Sequence, residues 1–131
     1  MPNLFLLEDE TALREIFRIS IEMLGKNIKL HEFGDSNRAL TFIQNSWSSI
    51  DLYVLDIRVP GKIDGFELAK EIRSYDKLTP IILTSAFAKA PKADLDFYNF
   101  IWMKKPWHLM EIPDKIVPLM YQKDQQPKIE L

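Results

Sequence analysis

Four short stretches carry the groups in this chain that could do chemistry together: Glu8-Asp9-Glu10, Asp56, Thr84-Ser85 and Lys104-Lys105-Pro106. Each closes or follows a short apolar run. Carboxylates brought close together raise one another's pKa unless a cation sits among them. An all-oxygen donor set favours a hard ion such as magnesium over zinc or copper, and magnesium keeps several waters while accepting phosphate oxygens. A nearby amine can neutralise one phosphoryl oxygen, and a hydroxyl can hydrogen-bond another. A carboxylate nucleophile, a metal, a lysine and a hydroxyl are the parts of an aspartyl-phosphate site.

Those groups can act together only if the fold gathers them. Five apolar runs read as strands: Leu4–Leu7, Ile28–Phe33, Leu52–Leu55, Ile81–Leu83 and Phe100–Met103. The first, third and fourth are apolar on both faces, which is the pattern of central strands covered by helices. Helical spacing separates them at 11–24, 36–45 and 65–74, with Asp64 and Glu67 spaced as a capping box. Pro91 limits the segment 87–98 to a short or irregular helix. A last helix is expected to start near Pro113 and to be disturbed near Pro118. Strand alternating with helix five times predicts an α/β fold with one parallel sheet and helices on both faces. In such sheets chemistry sits beyond the carboxyl ends of the strands, where the four stretches fall.

The length, 131 residues, suits one domain, and the polar stretch 123–131 reads as a tail following a domain over 1–122. A formal net charge of −2 without a basic run argues against nucleic acid or an anionic membrane as partner. The absence of cysteine excludes a disulfide framework and thiolate metal sites, which suits a cytoplasmic location. No stretch approaches the roughly 18 apolar residues of a membrane span, and the N-terminus lacks the basic region of a signal peptide.

FLLEDE, LDIRVPGKIDGFELAKEIR, PIILTSA and WMKKPW, in that order and covering roughly residues 3–122, make the chain similar to the receiver domains of response regulators in two-component (phosphorelay) signalling. The resemblance implies a flavodoxin-like, doubly wound five-stranded parallel sheet in the order 2-1-3-4-5. It implies that Asp56 accepts a phosphoryl group from a sensor histidine kinase or histidine phosphotransfer protein. Asp9, Asp56, Glu8 and the backbone carbonyl of Arg58 would hold Mg2+. Thr84 and Lys105 would hold phosphoryl oxygens, and Thr84 and Trp102 would form the switch. Three features depart from the usual pattern: one added residue between Asp56 and Asp64-Gly65, a tryptophan at 102 where the family usually has tyrosine or phenylalanine, and Pro91, Pro113 and Pro118 in the fourth and fifth helical segments, where the family usually presents its output face. Met1 and the polar tail read as those of a complete single-domain receiver, with output through a downstream protein; one excised from a longer protein is the alternative.

Other readings compete. Asp9 and Glu10 could simply cap the first helix. A haloacid-dehalogenase-type enzyme needs a second aspartate two residues after Asp56, where Arg58 stands and cannot serve as acid or base. A flavodoxin-type nucleotide binder needs a phosphate loop after the first strand, and Glu8-Asp9-Glu10 would repel phosphate there. A receiver-like docking module that is never phosphorylated is the remaining alternative. Trp47 and Trp107 read as packing or loop residues, and His31 and His108 as surface or structural ones.

Overall fold

In the computed structural model of the protein, residues 1–87 and 89–122 are described; the expected tail at 123–131 lies outside them. The order is β1 (Asn3–Leu7), α1 (Thr11–Glu22), β2 (Lys29–Phe33), α2 (Ser36–Ser46), a 3-10 turn (Trp47–Ser49), β3 (Leu52–Asp56), α3 (Gly65–Tyr75), β4 (Ile81–Ser85), α4 (Lys92–Tyr98), β5 (Phe100–Lys104) and α5 (Glu111–Met120). All strand pairs are parallel, in the order β2-β1-β3-β4-β5. The three strands that read as apolar on both faces are the three central ones, as a sheet covered by helices requires.

Alternation along the strands divides the core into two layers. Phe5, Leu7, Tyr53, Leu55 and Leu83 face α2, α3 and α4 through Ala39, Ile43, Leu68, Ile72 and Leu95. Leu4, Leu6, Leu52, Val54 and Ile82 face α1 and α5 through Phe17, Ile21, Ile112 and Ile116. By the same alternation Glu8, Asp56 and Thr84 belong to the α1/α5 face, one step beyond the apolar residues that hold them.

Local chemistry explains the boundaries. The capping box forms: Glu67 N–H donates to Asp64 Oδ1 at 2.8 Å, and the Glu67 carboxylate accepts from Asp64 N–H at 3.3 Å. Pro91 stands immediately before α4, which is short. α5 starts two residues ahead of Pro113 and continues through Pro118 to Met120, so the expected disturbance does not end it. The buried Arg73 guanidinium fastens the end of α3 to the α4–β5 turn by donating to the carbonyls of Tyr98 (2.7 Å), Asp76 (3.1 Å), Thr79 (2.7 Å) and Asn99 (3.2 Å).

Candidate functional site

Asp56 is the last residue of β3 and is only 3% exposed. Its strand neighbour in register is Thr84, so the two side chains leave adjacent strands on one face of the sheet. The backbone beyond β3 is held as well: Ile57 N–H donates to the Thr84 carbonyl at 3.0 Å, and Gly65 N–H to the Ile57 carbonyl at 2.8 Å. Gly65 has to lack a side chain, because a Cβ there would come to 1.9 Å from the Asp56 carbonyl oxygen. The start of α3 is thereby pressed directly against the residue that carries the carboxylate.

Lys105, directly after β5, reaches across the strand ends. Its Nζ lies 2.9 Å from Asp56 Oδ2 and 2.6 Å from Glu8 Oε1, and all three side chains are buried. Glu8 Oε2 accepts the Glu10 N–H at 3.0 Å, and Asp56 Oδ1 accepts the Arg58 N–H at 3.3 Å. Glu10 is the residue at the N-terminal boundary of α1; its own side chain makes no cap, and its N–H is taken by the Glu8 carboxylate.

Burial raises the Glu8 pKa to about 7, against the lowering effect of the Lys105 hydrogen bond. Burial likewise raises Asp56, again opposed by Lys105. Burial would depress Lys105, but its contacts with Glu8 and Asp56 outweigh that and raise it, so the amine stays charged. One amine therefore faces two buried carboxylates, with the exposed Asp9 beside them. Oxygens of Glu8, Asp9 and Asp56 lie within 4.8 Å of one another. This all-carboxylate group, with more negative charge than Lys105 can balance, suits a hard divalent cation such as magnesium.

The remaining expected residues are placed less centrally. Arg58 is exposed, and its guanidinium stacks 3.8 Å over the Phe87 ring, linking the loops after β3 and β4. Trp102 is half-buried and packs against the α2–α4 core layer, on the opposite face of the sheet from Thr84. The added residue in the β3–α3 loop has a seat: Ser36 N–H donates to the Pro60 carbonyl at 2.9 Å, and Lys62 N–H donates to Asn37 Oδ1 at 3.1 Å. Gly61, at φ +126°, sits where a Cβ would meet Ser36 Oγ at 2.0 Å, so the longer loop docks on the start of α2.

His31 is half-buried beside Asn3 and His108 is exposed, in keeping with structural or surface roles. Trp107 is a different matter. It is buried, as a packing residue would be, but its indole Nε1–H also donates to Thr84 Oγ1 at 2.9 Å. Sequence reasoning missed that bond. The available signal was position: two residues after Lys105, the chain must turn back beneath the amine to start α5.

The fold and this cluster of acids, lysine and threonine at the carboxyl edge define a flavodoxin-like receiver module. Residues 4–116 match the family model described as response regulator receiver domain. The chain belongs to that family. It is 38% identical over 85 residues to the transcriptional regulatory protein AfsQ1 of Streptomyces coelicolor, covering 65% of this chain and 36% of the relative. It is 31% identical over 115 residues to the response regulator MprA of a Mycobacterium species, covering 86% of this chain and 48% of the relative. Among solved structures, a CheY-like receiver domain protein from Methanospirillum hungatei superposes with a TM-score of 0.81 at 18% identity, covering 96% of this chain and 99% of that one. The chain spans about a third to a half of the length of the first curated relatives it matches.

Proposed function

We propose that Asp56 accepts a phosphoryl group from a phosphohistidine on a sensor histidine kinase or a histidine phosphotransfer protein, in the cytoplasm. The observation that carries this reading is Lys105 Nζ poised between Asp56 and Glu8, with Thr84 beside Asp56 in register. An Asp56 carboxylate oxygen attacks phosphorus, a P–O bond forms as the P–N bond breaks, and the departing imidazole takes up a proton. Lys105 meets a charged phosphoryl oxygen and Thr84 hydrogen-bonds another. Glu8, Asp9, Asp56 and the Arg58 carbonyl would hold magnesium, which when bound offsets negative charge on the transferring group. Water later attacks the acyl phosphate and releases inorganic phosphate, resetting the site.

The modification adds at most about two negative charges next to Thr84. Thr84 drawn toward them pulls the carboxyl end of β4 with it, which opens space for Trp102 beside that strand and shifts the population of two arrangements of the α4–β5 surface. A downstream protein reads that surface. Incubation with acetyl phosphate and magnesium should add the mass of one phosphoryl group to the wild type and nothing to Asp56→Asn. An unmodified wild type under conditions that label an ordinary receiver would leave the docking-module reading instead, and a labelled Asp56→Asn would move the site.

A further inference from the structure

We infer that Trp107 is a positioning residue for phosphoryl capture: its indole N–H occupies one lone pair of the Thr84 hydroxyl and thereby aims the hydroxyl's own proton at the oxygens that arrive on Asp56. This rests on the reading of Asp56 as phosphoacceptor and adds to it a residue outside the expected set.

Thr84 Oγ1 is completely buried, and among the described residues its hydrogen-bond partner is Trp107 Nε1 at 2.9 Å. A hydroxyl has one proton to donate and two lone pairs. With the indole N–H on one lone pair, the donor is left unspent and is confined to the arc away from the ring. The threonine side chain, β-branched, has few χ1 rotamers, so the hydroxyl's place is defined before a phosphoryl group arrives to draw it in. The neighbour on the same sheet face is Asp56, paired with Thr84 in register. Asp56 in turn is contacted by Lys105 and the Arg58 N–H rather than by Thr84. The unspent proton therefore matches an acceptor that appears only when a phosphoryl group is attached. Accepting a hydrogen bond also polarises a hydroxyl and makes it a stronger donor.

The indole is itself fixed. Its ring meets Phe17 of α1 edge-on at 5.5 Å and 68°, its side chain is 4% exposed, and Lys105 Nζ stands 5.7 Å from the ring centre. Trp107 thus stands beneath both side chains that would hold phosphoryl oxygens. A phenylalanine at 107 would retain the packing and the contact with Phe17 but would offer Thr84 no donor. The hydroxyl could then turn its proton elsewhere.

The test is beryllofluoride, a mimic of the aspartyl phosphate, titrated with magnesium into wild type, Trp107→Phe, Thr84→Val and the double variant. Alongside, the indole N–H resonance of Trp107 is followed by NMR. Trp107→Phe should weaken beryllofluoride binding about fivefold, the loss of one hydrogen bond's orientation, and should cost nothing further in the Thr84→Val background. Thr84→Val should shift the Trp107 indole resonance in the free protein, and beryllofluoride should shift it in the wild type. Binding by Trp107→Phe equal to or tighter than wild type would overturn the inference, as would an equal loss in the Thr84→Val background, the mark of a merely structural role. Should Trp107→Phe not fold, an indole resonance unmoved by both Thr84→Val and beryllofluoride overturns it as well. A wild type that fails to bind beryllofluoride at all refutes the phosphoacceptor reading, and this inference falls with it.

Discussion

Lys105 Nζ lies 2.9 Å from Asp56 Oδ2, and both side chains are almost fully withdrawn from water. The same amine holds Glu8 at 2.6 Å, so its removal leaves two buried carboxylates facing each other. Breaking a buried pair from one side is more costly than never having built it, because an uncompensated charge stays behind. Lys105→Ala should destabilise the protein by about 3 kcal/mol at neutral pH in chelator. Magnesium should restore more of that loss than it adds to the wild type. Thermal unfolding with and without the ion measures both. A variant as stable as wild type in chelator would mean the carboxylates already carry protons.

Glu8 predicts a pH dependence whose sign is opposite to the usual one for carboxylates. Burial lifts its pKa from 4.5 to about 7 in the folded protein. Across that window the folded protein keeps a proton that the unfolded chain has released, so the Glu8 contribution to stability falls as pH rises. Below 4.5 both states are protonated, and above 7 neither is. In chelator, wild type should lose stability relative to Glu8→Gln from about pH 4.5 to about pH 7, by on the order of 2 kcal/mol. Parallel stability profiles for the two proteins would show that Glu8 ionises at an ordinary pH.

At Gly65, an added Cβ would come to 1.9 Å from the Asp56 carbonyl oxygen, with no flexible side chain to yield. Gly65→Ala has to push α3 away from the end of β3. The expected cost is about 2 kcal/mol of stability, together with slower labelling by acetyl phosphate, since the displaced backbone carries the nucleophile. An alanine variant that labels at the wild-type rate would show that α3 can retreat without moving Asp56.

Strand character, strand order and the acidic cluster were all legible from the chain, because each follows from nearest-neighbour chemistry or a matched motif. Double-sided apolar runs mark β1, β3 and β4 as central, and a carboxylate ending such a run has to meet a partner. What could not be read were contacts set by where loops return. Trp107 looks like any buried aromatic until α5 is docked and its N–H is seen to face Thr84. The longer β3–α3 loop has no visible partner in the sequence until α2 presents Ser36 and Asn37. Pro118 stands inside α5 as expected and brings no N–H to its ladder, yet the helix, packed through Ile112, Ile116 and Met120, carries on past it, an extent the sequence does not give.

Arg73 ties together parts of the chain distant in sequence, donating to the carbonyls of Asp76 and Thr79 in buried bonds and to those of Tyr98 and Asn99 in part-buried ones. Carbonyls left buried without a donor are the main loss on truncation. Arg73→Ala should cost about 3 kcal/mol, measured by urea unfolding. Arg73→Lys should recover only part of it, because an ammonium cannot reproduce the planar fork. Full recovery by lysine would reduce the role of Arg73 to its charge.

Arg58 and Phe87 make a bridge between two loops that each leave the site: Arg58 two residues after Asp56, and Phe87 three residues after Thr84. The guanidinium lies 3.8 Å from the ring centre, while Phe87 remains 59% exposed. An exposed cation–π contact of this kind contributes about 0.5–1 kcal/mol. If the bridge restrains the two loops over the site's mouth, its loss admits water to the acyl phosphate more often. Phe87→Ala should therefore shorten the lifetime of phosphorylated Asp56 by about two- to fivefold, the kinetic equivalent of that energy. Phe87→Tyr, which retains an aromatic face, should behave as wild type. The rate of inorganic phosphate release after removal of the phosphodonor measures both. An unchanged lifetime in Phe87→Ala would place the bridge outside the path by which water reaches the site.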